Sequence, residues 1–220
     1  MPMSTPSVPQ ASQRPAPGRP KDLAKRAAIL EAAESLFLEH GFEGVSMDQI
    51  AARAGVSKLT VYSHFGDKDA LFFEAVEHYC DKQVPTALFT PAPQQPLRER
   101  LAGIGRAVYA LMASPEAVSG FRLMCASTRA DCALADRFWA AGPGHLQAGF
   151  AALLARRTAA GELAVDDPAR AASQFFALLR GDLHPRLVMG CDALAGFDMD
   201  AHVEATVDVF LRAYAARQGT

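Results

Sequence analysis

Apolar positions recur at three- and four-residue spacing along almost the whole chain, and no stretch alternates apolar and polar residues long enough for a strand. The pattern predicts an all-α protein. A first helix is expected from about Lys21 to His40, with Ile29, Ala33, Leu36 and Phe37 on one face and Gly41 free to take the left-handed conformation that ends it. A second runs from Met47 to Ala54. Ser46 followed by Gln49 forms its capping box, and Met47, Ile50, Ala51 and Ala54 form its apolar face. Gly55 allows a tight turn into a third, short helix with Ser57 as its cap. Asp67 caps a fourth that carries Leu71, Phe72, Val76 and Tyr79 and continues to about Gln83.

The stretch "TPAPQQP" breaks the pattern. Pro96 starts a helix reaching about Ala113, and Ser114-Pro115 starts the next, with Ser at the cap and Pro at the first helical position. "AGPGH" separates a short helix around Phe138 and Trp139 from a longer one around Phe150 to Ala160. "GELAVDDP" reads as a loop. Asp167-Pro168 opens a helix through Phe175, Phe176 and Leu179, and a last amphipathic helix spans about Met199 to Arg217. Residues 1–20 are rich in Pro, Ser and Gln, with little to bury, and read as a disordered or extended arm.

Half of the 220 residues are hydrophobic, a balance suited to one medium domain or two small ones. No apolar run approaches the roughly 18–20 residues of a membrane helix, and the N-terminus lacks the apolar stretch of a secretory signal. Cys80, Cys125, Cys132 and Cys191 are scattered, without a CxxC pair. A cytoplasmic protein with no membrane partner and no cofactor is expected. The net charge of −2 gives no hint of a polyanion partner; its distribution is more informative, although a basic front end by itself reads as a solvated tail. Arg14, Arg19, Lys21, Lys25 and Arg26 stand at the front of the chain against only Asp22.

The third helix has a division of labour. Val56, Val61 and Phe65 fall on one side and can pack on Ile50, Ala51, Phe37 and Phe42. Ser57, Lys58, Leu59, Thr60, Tyr62, Ser63 and His64 are left over. A helix lying in a DNA major groove needs such a face, since hydroxyl, phenol and imidazole groups donate to phosphates and apolar groups touch thymine methyls. Lys68 lies in the first turn of the next helix, where free backbone amides also favour a phosphate. A bare helix-turn-helix pattern is a weak signal, and periodicity alone favours an amphipathic helical hairpin with an arbitrary polar face.

The stretch "RAAILEAAESLFLEHGFEGVSMDQIAARAGVSKLTVYSHFGDKDALFFEAV" closely resembles the N-terminal domain of TetR-family transcriptional regulators. The looser match of "SPEAVSGFRLM" and "GELAVDDPARAASQFFALLRGDL" resembles the AefR-like or AcrR-like C-terminal domain. The resemblance implies a helix-turn-helix domain over 21–68 and a ligand-binding and dimerisation domain over 69–220. It implies that Ser46 caps the second helix and touches phosphate, and that Lys58, Leu59 and Thr60 face base edges. Tyr62 and His64 then contact the DNA backbone, and Lys68 a phosphate. Position 59 is often smaller in the family, so Leu59 departs from the pattern. The basic arm could reach a minor groove.

The partners so implied are a double-stranded, pseudo-palindromic operator, a second copy of the chain, and a small apolar or amphipathic effector that releases the repressor. Dimerisation is expected through Phe176, Leu179, Val203, Val207, Phe210 and Leu211. The candidate pocket residues are Tyr109, Met112, Phe121, Arg122, Met124, Phe138, Trp139, Phe150, Phe175, Arg180 and His184. One alternative keeps this fold but makes a thiol or a metal the trigger. A thiol- or metal-dependent enzyme is the remote reading, because neither HExxH nor GxSxG is present.

Overall fold

The computed structural model describes residues 22–90, 95–127, 132–192 and 194–216. The basic arm with Arg14, Arg19 and Lys21 therefore lies outside the described residues. The chain begins with α1 (Leu23–His40), α2 (Met47–Arg53), α3 (Lys58–Phe65) and α4 (Lys68–Gln83). A 3₁₀ turn at Thr86–Phe89 leads to α5 (Leu97–Ala113), α6 (Pro115–Ser127), α7 (Cys132–Ala141) and α8 (Pro143–Ala159). The last three are α9 (Pro168–Arg180), α10 (Leu183–Val188) and α11 (Met199–Tyr214). Among the described residues the only strand-like contact is an isolated bridge between Leu163 and Ala215.

Local chemistry sets these boundaries. Asp22, Asp67, Asp167 and Asp198 each accept a backbone N–H from the first turn of the helix they precede. Pro143 and Pro168 occupy the first helical position, where a missing N–H costs nothing. Gly41 closes α1 with a φ of 70° that few other residues adopt. "AGPGH" is thus a sharp junction between α7 and α8, not a spacer, and α8 starts earlier than periodicity suggested. The 3₁₀ turn and α10 are too short to show a period and were not anticipated.

Two apolar clusters form the interior. One joins Ile29 and Phe37 of α1, Ile50 of α2, Val61 and Phe65 of α3, and Leu71, Phe72 and Phe73 of α4. It also takes in Met124 of α6, with Phe138 of α7 packed against it. The other centres on Phe150, Phe175 and Phe210, whose rings lie within 4.7–6.2 Å of one another. Burying each of these rings contributes roughly 2–3 kcal/mol. The front half of α4 therefore belongs to the helix-turn-helix core, and its back half reaches the second cluster through Cys80.

The second cluster corrects the expected dimer surface. Leu179, Val203 and Val207 are fully buried within one chain, Phe210 nearly so, and Phe176 is buried. Leu211 is half-buried against the same cluster. The reason is that α11 packs against both α5 and α9, which together cover its apolar stripe. Arg98 and Arg106 of α5 hold that packing from outside through Glu204, at 3.1 and 3.0 Å. The large apolar side chains that α9 and α11 leave exposed are instead Leu178 and Val209, at 39% and 50%.

Candidate functional site: a recognition helix above an aromatic cavity

The short helix α3 is held from below and open above. Val61 is fully buried and Phe65 nearly so, while Val56 packs at the edge of the same cluster. Ser57 caps the helix by accepting the Thr60 N–H at 3.1 Å, and Gly55 makes the preceding turn with a φ of 66°. Ahead of it, Ser46 and Gln49 close the capping box of α2 in both directions. On the outer face Leu59 is 78% and Tyr62 is 42% exposed. Ser63 is exposed with its hydroxyl donating to the Thr60 carbonyl at 2.8 Å. Lys58 is exposed and ion-paired to Asp48 at 2.8 Å, which raises its pKa. His64 is partly buried, and its Nδ1 has no partner among the described residues.

Lys68 opens α4 beside this face. Its ammonium lies 4.3 Å from the centre of the Phe42 ring. The cation–π contact keeps the stem against the protein while the head remains available to an anion. The proposed DNA-facing residues thus lie along α3, at the caps of α2 and α3 and at the start of α4, with Ser46 and Ser57 occupied in caps and Lys58 occupied by Asp48.

Behind that surface lies a cavity of about 250 Å³. One wall is Glu34, Phe37, Leu38, Gly41 and Phe42 of α1 and the turn after it. The others come from α4 through α10, with Phe72, Val76, Tyr79, Met112, Phe121, Met124, Phe138, Trp139 and Leu146 among them. Phe72 meets Phe37 and Phe42 with ring centres at 5.0 Å and faces Phe138 at 6.3 Å. Of the expected pocket residues, Met112, Phe121, Met124, Phe138, Trp139, Arg180 and His184 line it.

Four do not. Phe150 and Phe175 are fully buried in the second cluster. Tyr109 belongs to a small cluster of its own, stacked on Phe197 at 5.6 Å, and burial pushes its phenol up to about 12. Arg122 binds α10 instead, donating to the carbonyls of Val188, at 2.7 Å, and Leu187. Phe176, expected at a dimer interface, lines the cavity. The wall supplied by α1 was not anticipated, because its apolar residues read as ordinary helix-turn-helix core.

The polar groups of the cavity are few. Glu34 is buried, and α4 supplies it with Lys82 at 3.1 Å and a hydrogen bond from His78. The Tyr79 hydroxyl meets that of Ser114 at 3.4 Å, and burial raises its pKa. Cys80 is a buried thiol pushed up to about 12 by burial, so it remains protonated and unreactive. Burial, then the charge of Arg180, holds His184 below its ordinary value, which favours the neutral ring. Outside the cavity His145 of α8 sits 3.2 Å from Asp81 and 3.8 Å from Glu77, clasping α8 to α4. Those three donors are the one group among the described residues close enough to share a metal ion, and two of them are only partly buried. Cys132 lies outside the residues whose side chains are described. No helix among the described residues is long and apolar enough to cross a membrane.

Comparison with known proteins agrees with this geometry. Residues 29–75 match the model for bacterial regulatory proteins of the tetR family. Residues 99–216, more than half of the chain, match the AefR-like transcriptional repressor C-terminal domain. The uncharacterized regulator YdeS of Bacillus subtilis is 47% identical over 58 residues, which are 26% of this chain and 29% of YdeS. The chain therefore spans under a third of that curated relative. The flavonoid-responsive regulator FrrA is 32% identical in structure-based alignment, with a TM-score of 0.69, covering 90% of this chain and 100% of FrrA. SmeT in complex with triclosan is 25% identical at a TM-score of 0.59, covering 88% of this chain and 93% of SmeT. The tetR family is made up of DNA-binding transcriptional regulators, not enzymes. With a tetR-family match over the helix-turn-helix domain and an AefR-like match over more than half of its length, the chain belongs to the TetR family of transcriptional regulators.

Proposed function

We propose that the protein is a homodimeric transcriptional repressor that leaves its operator when a small aromatic molecule fills the cavity. The observation that carries the reading is the position of that cavity. Its walls include α1 of the helix-turn-helix domain as well as α4 through α10, so an occupant touches both halves at once. Phe42 shares the cavity wall with Phe72 and also carries Lys68 on its ring. A ligand that displaces Phe42 therefore displaces a phosphate contact. It lowers operator affinity only by the margin with which it prefers the displaced state.

The proposed DNA contacts are Lys58, Leu59 and Thr60 toward base edges, with Ser46, Ser57, Tyr62, Ser63, His64 and Lys68 toward the backbone. The division into a DNA-binding part over 21–68 and a ligand-binding and dimerisation part over 69–220 belongs to the same proposal, with α4 as the shared lever. One such helix gives limited specificity, and two half-sites about 34–36 Å apart supply the rest. We place the dimer surface on the outer faces of α9 and α11, around Leu178 and Val209. The solved relatives support an apolar, aromatic effector, since FrrA responds to a flavonoid and SmeT was solved with triclosan.

The test uses an operator duplex selected by the protein from random sequence and labelled for anisotropy. A flavonoid and triclosan are titrated in while Trp139, the chain's single tryptophan and a cavity wall, reports occupancy by fluorescence. Compounds that quench Trp139 should release the duplex. Selection of no duplex, or quenching without release by every compound that binds, would sink the proposal.

A further inference from the structure

The cavity is apolar through most of its depth but not at its end against α9 and α10. Ser173, Phe176, Ala177 and Arg180 recur at helical spacing on α9 and all line it, and His184 of α10 follows. Phe176 is buried, whereas Ser173, Ala177 and Arg180 are exposed, so this end is a rim. Several other arginines sit on carboxylates, such as Arg98 on Glu204, Arg137 on Asp69 and Arg157 on Glu162, and Arg122 and Arg156 sit on backbone carbonyls. Arg180 has no ion pair among the described residues. His184 stands edge-on to Phe121 at 5.2 Å, also on the wall.

The other charges of the cavity are disposed differently. Glu34 is already matched by Lys82 and His78. Glu116 stands at the start of α6, where its charge acts on the Tyr79 phenol. The unmatched cation at the rim is therefore Arg180, and His184 beside it, held below its ordinary value, supplies a neutral ring that can donate or accept one hydrogen bond.

Resting on the reading of this cavity as the effector site, we infer that the effector is an amphipathic aromatic acid. Its ring body lies among Phe72, Phe138 and Trp139, and its carboxylate is bound at the rim by Arg180, with Ser173 and His184 alongside. A guanidinium matches a carboxylate in fork geometry, and the charge-assisted bonds are stronger than those to a neutral ester. Arg180 is exposed, so replacing it does not threaten folding.

The experiment compares three ligands of one shape at pH 7.5: biphenyl-4-carboxylate, its methyl ester, and biphenyl-4-ylmethylammonium. Each is titrated against Trp139 fluorescence and operator anisotropy in wild type, Arg180→Gln and Arg180→Lys. The carboxylate should bind about tenfold or more tightly than the ester in wild type. That advantage should fall below about twofold in R180Q, mainly through loss of acid affinity, and return in part in R180K. Equal affinity of acid and ester, an acid advantage that survives in R180Q, or tightest binding by the ammonium would each overturn the inference. If such ligands still release the operator, the effector-site reading stands without it. Failure of all three to quench Trp139 would overturn both.

Discussion

Lys68 offers the most quantitative test of the docking surface. It is partly buried, it opens α4, and its ammonium is held 4.3 Å from the Phe42 ring centre. In the proposed docking, Lys68→Ala removes one phosphate contact per subunit, hence two per dimer. Each lost contact reduces the slope of log affinity against log salt by about 0.9, so the dimer's slope should flatten by about 1.8. Between 50 and 200 mM salt the wild type should then lose about twelvefold more affinity than the variant does. The effect should be the same for strong and weak operators, because phosphates carry no sequence information. Operator anisotropy at four or five salt concentrations measures it. Parallel slopes for variant and wild type would refute the placement of Lys68 at a phosphate. A loss confined to one operator sequence would refute it as well.

Other outcomes follow from the same structure. Phe210→Ala should lower stability by about 3–5 kcal/mol in urea unfolding, because it empties the centre of the second cluster; a change in dimer dissociation with stability intact would contradict its burial. Val209→Asp, on the exposed face of α11, should instead shift the sedimenting species toward monomer and leave helix content unchanged. Cys80 should be alkylated after Cys125 and Cys191 at pH 8, because burial pushes it up to about 12, and mass spectrometry finding it modified ahead of Cys191 would contradict that. His184 is held below its ordinary value when folded, so the unfolded chain takes up its proton first. Its contribution to stability is therefore lost as pH falls from about 6.5 toward the folded value, and unfolding midpoints of His184→Gln should show less acid sensitivity than wild type.

Much of the fold was readable because helix ends depend on neighbours in sequence. The capping box of Ser46 and Gln49, the Ser57 cap, and the Asp167-Pro168 start all formed where the residues indicated. The recognition face was legible for a related reason. Burying Val61 and Phe65 on an eight-residue helix leaves Leu59, Tyr62 and Ser63 no direction but outward.

What covers an apolar stripe was not legible. Val203, Val207 and Phe210 make a stripe on α11 that suits either a partner or a core, and only the packing of α5 and α9 shows that it is core. The cavity was half legible. Aromatic and methionine residues of the middle helices announced apolar volume, but periodicity cannot separate a filled volume from an empty one. So Phe150 and Phe175 were taken for lining, while Phe42, Tyr79 and Phe176 were not.

The central claim is that one cavity couples a ligand to the recognition helices, and coupling has a reciprocal signature. The affinity of a compound that quenches Trp139 should be measured with and without saturating operator. Operator affinity should be measured with and without saturating amounts of that compound. The account predicts that each weakens the other by the same factor, of about 5–150-fold. Quenching of Trp139 at an affinity that operator does not change would contradict it.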